Sequence, residues 1–109
     1  MTNYLFIETR DPFESRDTWF IEDTATALTQ RGHQVTVFLV QNGVLASRKG
    51  ARTSYLERLA SAGITVLADD FSLCERGISA SEIDSAVKPS TIETLVEVLV
   101  QPRTKAIWH

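Results

Sequence analysis

The chain carries four short segments in which β-branched and aromatic residues follow one another with few polar interruptions. They span residues 4–9, 35–40, 64–68 and 105–108. Nearly continuous apolar character is typical of strands that are covered on both faces, as the strands of parallel sheets are. The pattern therefore predicts four buried β-strands.

Apolar residues at helical spacing fill the intervals between these segments. A first helix is expected at about 14–31, ending at Gly32, because glycine readily adopts the left-handed conformation found after helices. The stretch 11–14 is either the cap of this helix or an ordered loop. The side chains expected to face inward are Phe20, Ile21, Thr24, Ala27 and Leu28.

Two further helices are expected to open with a capping box, in which a hydroxyl and a glutamate satisfy each other's free main-chain amides. One spans about 54–62 and opens at Ser54. The other follows Pro89, opens with residues 90–93 and runs through about Val100. The core faces are expected to be Tyr55, Leu56, Leu59 and Ala60 in the first and Ile92, Leu95, Val96 and Leu99 in the second.

This alternation of strands and helices predicts an α/β fold, with a mostly parallel sheet of four or five strands and helices on both faces. At 109 residues the chain suits one hydrophobic core, so residues 1–109 are expected to form a single domain. Ligands of such sheets bind beyond the carboxyl ends of the strands. Three loops qualify, at residues 10–15, 41–47 and 69–77. The last should contain one helical turn that an aspartate caps, and residues 79–82 a second short turn.

Charge and the length of the apolar runs argue against two classes of partner, and the cysteine content indicates the compartment. The net charge is −3 and the pI about 5.3, without a basic block, so nucleic acid is not an expected partner. The longest apolar run, residues 35–40, is far shorter than the roughly twenty residues of a membrane helix, so no membrane partner is expected. A single cysteine and a first stretch unlike a secretory signal favour the cytoplasm.

Polar residues in the loops after the second and third strands are the candidate binding residues. Asn42 and Gly43 form a turn signature, since both tolerate positive φ, at a place where a ligand would bind. Asp69 and Asp70 are adjacent carboxylates, suited either to acid–base chemistry or a cation, or to capping the turn that follows. Arg76 adds a cation to the same loop.

Cys74, the only cysteine, is the candidate catalytic residue. A cysteine that carries sulfur must be exposed and must react as the thiolate, which a nearby cation such as Arg76 favours. Beside Leu73, the same residue also fits as a small apolar side chain packed inward. Both interpretations, a working thiol and a packing residue, are compatible with the sequence.

No cofactor and no metal are expected. The chain lacks glycine-rich nucleotide-binding motifs. His33 falls at the end of the sheet opposite the candidate loops and His109 is the last residue, so the two histidines do not suggest a zinc site. Trp19 and Trp108 are candidate interface anchors, and helix packing explains Trp19 equally well.

Three features together resemble the DsrE/DsrF/TusD-like family of sulfur-relay proteins. They are an Asp-Pro loop after the first strand at residues 11–12, the segment VFLVQNGV at 37–44, and ERGI at 75–78. The resemblance covers nearly the whole chain. It implies a flavodoxin-like three-layer α/β sandwich and a homo-oligomer, either a trimer or a hexamer, or an assembly with related subunits.

Catalytic members of that family carry a persulfide on a cysteine just after the third strand. Asp69 occupies that place here, and Cys74 lies five residues further on. The resemblance therefore implies one of two functions. The first is a persulfide carrier or sulfurtransferase subunit that uses Cys74 and meets a sulfur-carrier protein. The second is a non-catalytic assembly module or small-molecule-binding module of the same fold.

Overall fold

The structure, a computed structural model, describes residues 2–51 and 54–109 and contains a five-stranded sheet. All neighbouring strands pair in parallel, in the order β4-β3-β2-β1-β5. This pairing confirms the predicted parallel sheet. It also brings the carboxyl ends of all the strands to one edge. The strands are β1 (Asn3–Glu8), β2 (Gln34–Leu39), β3 (Thr65–Asp69), β4 (Lys88–Ser90) and β5 (Thr104–Trp108).

The short strand β4 has no apolar signature, and the hydrophobic pattern did not predict it. Its sequence is Lys-Pro-Ser, and it pairs with β3 alone at the edge of the sheet. Proline has no main-chain N–H to donate. It is tolerated in an edge strand because one side of that strand has no neighbouring strand to accept such a hydrogen bond. Pro89 therefore lies in a strand rather than in the connection to a helix.

Within the described ranges, four α-helices join the strands. They are α1 (Trp19–Gln30), α2 (Tyr55–Ser61), α3 (Asp70–Glu75) and α4 (Ile92–Leu99). Three 3-10 segments add to them, at Arg16–Thr18, Gln41–Ser47 and Ala80–Glu82. The short turn predicted at 79–82 is present and opens with a capping box, in which the Ser79 hydroxyl and the Glu82 carboxylate are both engaged.

The helices begin later than the sequence indicated. The Asp11 carboxylate accepts a hydrogen bond from the Phe13 amide in an ordered loop, and α1 starts only at Trp19. Ser54 precedes α2 but makes no side-chain cap, since its hydroxyl accepts a hydrogen bond from Arg58 instead. The cap of α4 is Thr91, whose hydroxyl accepts from the Thr94 amide, so the helix is capped one residue after the predicted Ser90 and by a single side chain.

The core lies on both faces of the sheet. One face packs against α1 and α2 and contains the larger cluster, which includes Phe6, Ile21 and Leu59. The other face carries Leu5, Ile7, Phe38, Val40 and Leu95, the last from α4. Strands β4 and β5 occupy opposite edges, so the connection that contains α4 must cross this second face.

Helix α4 leaves much of its apolar surface uncovered. Leu95 is buried, but Ile92, Val96 and Leu99 are 52%, 50% and 43% exposed, although all four were predicted to face the core. The adjacent Val100 is 72% exposed. Val98 packs, partly buried, against the same cluster as Leu95. In α1 likewise, Ile21 and Ala25 are the buried residues, whereas Phe20 and Ala27 are exposed.

Candidate functional site

The loops that follow β2 and β3 meet at the carboxyl edge of the sheet. The Gln41 amide donates a hydrogen bond to the Ser72 hydroxyl over 2.9 Å. Arg76 Nε donates to Asn42 Oδ1 over 3.1 Å. These two contacts tie α3 to the segment after β2, so that Asn42 and Arg76, both candidates from the sequence, are in direct contact.

Asp69 caps α3, as one of the two interpretations of the Asp69–Asp70 pair predicted. Its Oδ2 accepts hydrogen bonds from the Ser72 amide, over 3.0 Å, and from the Ser72 hydroxyl, over 2.7 Å. Both side chains are buried, at 7% and 4% exposure. Ser72 therefore links the two loops, because its hydroxyl accepts a hydrogen bond from the Gln41 amide and donates one to the Asp69 carboxylate. The sequence analysis did not identify Ser72, although its place three residues after an aspartate is a capping signal.

Gly43 is required by a close approach of main chains, not by the positive φ that the turn signature predicted. A Cβ on Gly43 would lie closer than 3.0 Å to the main-chain oxygen of Glu8. That oxygen also accepts a hydrogen bond from the Val40 amide. The positive φ falls instead on Gln41, at 51°, an uncommon conformation for a residue other than glycine.

Cys74 is exposed. The hypothesis that it packs inward beside Leu73 is wrong, since Leu73 alone of the two is buried. The guanidinium of Arg76 is turned to other acceptors, namely Asn42 Oδ1 and the main-chain oxygen of Ser72 at 3.2 Å. The thiol is thus presented to solvent near the end of α3, a helix that buried hydrogen bonds hold in place.

A groove of about 430 Å³, here called the edge groove, opens next to α3 on the face of the sheet that α4 crosses. Ile7 and Val40 come from the sheet, and α3, α4 and β5 supply the other sides. A neighbouring cavity of about 530 Å³ shares Asp69, Phe71 and Ile92 with it. The residues that complete the edge groove are Gln41, Asp69, Phe71, Ser72, Glu75, Arg76, Ile92, Leu95 and Trp108.

The site residues predicted from the sequence do not all line the same cavity. Asp69 and Arg76 line the edge groove, and Asp70 lines the neighbouring cavity. Asn42 touches the groove only through Arg76. Cys74 lines neither cavity.

The tryptophans lie at the surface. Trp108 is 68% exposed and lines the edge groove. Trp19 is 61% exposed, so the hypothesis that helix packing explains it is wrong. Trp19 lies beside the loop after β1, where it borders a smaller cavity with Pro12 and Ser15.

A second polar cluster at the same edge was not predicted. Glu8 is fully buried, and His109 Nδ1 lies 2.9 Å from its Oε2. His109 Nε2 lies 3.2 Å from Asp17 Oδ2, and Arg10 also contacts Asp17. The Ser15 hydroxyl, more than any other neighbour, holds the pKa of Asp17 below its usual value. A glutamate in an otherwise apolar strand was the available signal, because an acid in such a strand needs a partner.

The described residues, 2–51 and 54–109, include no group of three or more histidine, cysteine, aspartate or glutamate side chains arranged to hold a metal ion. His33 lies at the amino end of β2, where its ring meets the edge of Tyr4 and accepts from the Thr2 amide. The described helices also include none with the length and hydropathy of a membrane span.

Comparison with known proteins decides the family. The sequence profile of the DsrE/DsrF-like family matches residues 2–102. This chain belongs to the DsrE/DsrF-like family. Membership supports a role related to sulfur relay and agrees with the resemblance seen in the sequence. No curated protein sequence matches the chain significantly.

Solved structures of similar fold support the architecture of this DsrE/DsrF-like chain. The YchN protein of Escherichia coli has a TM-score of 0.84 at 20% identity, over 98% of this chain and 100% of that one. MTH1491 of Methanobacterium thermoautotrophicum has a TM-score of 0.81 at 18% identity, over the full length of both chains. BT1422 of Bacteroides thetaiotaomicron has a TM-score of 0.78 at 18% identity, over 98% of this chain and 94% of that one. At these identities the similarity concerns the fold.

Proposed function

We propose that this chain works in intracellular sulfur relay, as a persulfide carrier or sulfurtransferase subunit, with Cys74 as the residue that carries sulfur. The observation that carries this proposal is the exposure of Cys74 on the helix that follows β3, at the carboxyl edge of the sheet. A sulfur carrier must reach both a donor and an acceptor, and only an accessible thiol can do so. Membership in the DsrE/DsrF-like family supports the same chemistry.

The transfer step is a thiol–persulfide exchange. The Cys74 thiolate attacks the outer sulfur of a donor persulfide, R–S–SH, and forms a new S–S bond to it. The bond between the two donor sulfurs breaks, and the donor leaves as the thiolate R–S⁻. Cys74 then holds one sulfane sulfur, which a partner thiol removes by the same reaction, so no external oxidant or reductant is consumed.

Asp69 takes a supporting role in this account. The family resemblance places a sulfur-bearing cysteine where this chain has Asp69, and a carboxylate cannot hold sulfane sulfur. The carboxylate instead caps α3 through Ser72 and so fixes the helix that presents Cys74. The contact between Arg76 and Asn42 holds the other end of α3. We infer that Asp69, Asn42 and Arg76 position the thiol.

Sulfur loading of Cys74 is measurable by cyanolysis, because cyanide removes sulfane sulfur as thiocyanate. After exposure to glutathione persulfide and removal of excess donor, the native protein is expected to release close to one thiocyanate per chain. The Cys74→Ser variant, whose exposed side chain keeps its size, is expected to fold normally and to release none. Equal release from both proteins would place the sulfur elsewhere, and release from neither would rule out the carrier role.

We also propose that the chain assembles with copies of itself, as a trimer or hexamer, or with related subunits. The surface formed by Val96, Leu99 and Val100, here called the α4 surface, supports this proposal because its three residues are exposed. Contiguous exposed apolar side chains on a soluble domain are typical of protein interfaces. A sulfur-carrier protein remains the expected partner of the thiol edge, and the cytoplasm the expected compartment.

A charge on the α4 surface is expected to disrupt the assembly. The Leu99→Asp variant places an unpaired carboxylate in the proposed interface, where its desolvation opposes association. Light scattering should show a multiple of the 12.2 kDa chain for the native protein and a mass near one chain for the variant. Ala27→Asp, at an exposed position on α1, is the control and should leave the mass unchanged. A native protein that is already a monomer would contradict self-assembly and leave assembly with related subunits, which co-purification with such a subunit tests.

A further inference from the structure

We propose that the edge groove binds a small organic cation with an aromatic or aliphatic body, such as an alkylated amine. The volume of the groove, about 430 Å³, falls within the range of small-molecule sites, about 300–1,000 Å³. The proposal is independent of the sulfur chemistry, because Cys74 does not line the groove.

The apolar part of the groove fits the body of such a ligand. Ile7 and Val40 lie on the sheet side, and two aromatic side chains, Phe71 and Trp108, lie on α3 and β5. These two are 69% and 68% exposed, so both keep ring surface available to a ligand. Aromatic faces attract cations, and tryptophan does so most strongly.

The charge around the groove selects a cation over an anion. Four carboxylates line the edge groove and the cavity beside it, and Arg76 is the one basic residue among the lining residues. No ion pair joins these carboxylates to a cation within residues 2–51 and 54–109. Arg76 donates to two neutral acceptors instead. The four carboxylates are those of Asp69, Asp70, Glu75 and Glu93.

Asp69 supplies a buried polar group at the base of this arrangement. The side chain is 7% exposed and lines both cavities. Its two hydrogen bonds both end on Oδ2, which leaves Oδ1 without a donor in the described part of the chain. Asp69 lines the groove, so the negative charge of its carboxylate attracts a positive charge there, and a bound ammonium group supplies that charge.

Binding is tested with three probes that share a benzyl or phenyl body and differ in charge. Benzyltrimethylammonium is the cation, benzyl alcohol the neutral compound and benzenesulfonate the anion. Binding to the Trp19→Phe protein is followed by the fluorescence of Trp108, which is then the only tryptophan. The cation should bind saturably and more tightly than either other probe, and less tightly as salt is added. No saturable binding of the cation, or equal binding of all three probes, would overturn the proposal.

Variants locate the site. Backbone amide shifts of the native protein and of each variant are followed by NMR during titration with benzyltrimethylammonium. Trp108→Ala is expected to weaken binding by roughly two- to fivefold, as loss of an exposed cation–π contact predicts. Glu75→Gln should also weaken binding, while Glu57→Gln and Trp19→Ala, both at exposed positions outside the groove, should not. Weakening by the control variants to the same extent would contradict a specific site.

The Asp69→Asn variant removes the negative charge of Asp69 and is expected to keep the cap of α3, so it tests the effect of the charge on ligand binding. Asparagine retains an oxygen that can accept from Ser72 and is as good an N-cap as aspartate, so α3 is expected to persist. The cation should bind more weakly to this variant, and the neutral probe should bind as it does to the native protein. Unchanged cation binding in a folded Asp69→Asn protein would show that Asp69 does not act on the ligand.

Discussion

Replacing Gly43 by alanine is expected to lower the free energy of unfolding by about 3 kcal/mol or more. The added Cβ would lie closer than 3.0 Å to the main-chain oxygen of Glu8, which is itself held by the Val40 amide. A clash with a side chain can be relieved by rotation, but a clash with main chain in the centre of a sheet requires β1 or the segment after β2 to move. Urea denaturation of the native protein and the variant measures the loss.

Gly63→Ala is the matched control for this substitution. Gly63 has φ +87°, so alanine there is strained, but a Cβ would meet nothing within 4 Å. The expected cost is about 1 kcal/mol, that of the left-handed conformation alone. If Gly43→Ala costs no more than Gly63→Ala, the close approach to Glu8 does not exist in solution.

Replacing His109 by alanine is expected to cost about 3 kcal/mol at neutral pH. The substitution removes the ring that contacts both oxygens of the Glu8 carboxylate, at 2.9 and 3.1 Å, and leaves the Arg10 amide as the remaining donor among residues 2–51 and 54–109. Glu8 is fully buried, and a buried carboxyl group that loses a hydrogen-bond partner is destabilising. Urea denaturation at pH 7 measures the effect, with His33→Ala, the other histidine, as the control.

A second substitution distinguishes the loss of charge pairing from the loss of packing. Glu8→Gln in the His109→Ala background removes the unpaired charge, so the double variant is expected to recover part of the lost stability. Removal of a ring that only fills space would give no recovery. A single variant as stable as the native protein would show that Glu8 has no need of His109.

The sheet and its functional edge were predictable from the sequence because apolar runs report burial on both faces directly. Strands β1, β2, β3 and β5 each lie within one or two residues of the predicted segments. The cap at Asp69 was predictable for a similar reason, since its hydrogen bonds reach only three residues along the chain. Local signals were sufficient for these features.

The remaining features depend on contacts between residues far apart in the chain. The contact of Glu8 with His109 joins residues 101 positions apart, and the hydrogen bond of Arg76 with Asn42 spans 34. Helical spacing marks one side of α4 as apolar but does not tell how much of that side the sheet covers. For the same reason, the exposure of Cys74 was open in the sequence and is settled only by the placement of α3.

Asp69 and Cys74, five residues apart, have different surroundings. Asp69 is buried, bonded to Ser72, and lines a groove surrounded by further carboxylates. Cys74 lies in α3, the helix that Asp69 caps, but is exposed and outside that groove. Sulfur transfer at Cys74 and ligand binding at Asp69 are therefore separate proposed activities, which Cys74→Ser and Asp69→Asn test independently.

The most direct test of the sulfur-relay account is the intact mass of the native protein after brief exposure to glutathione persulfide. The account predicts a gain of one sulfur atom, reversed by a reducing thiol and absent in Cys74→Ser. An unchanged mass, or a gain that persists in Cys74→Ser, would contradict it.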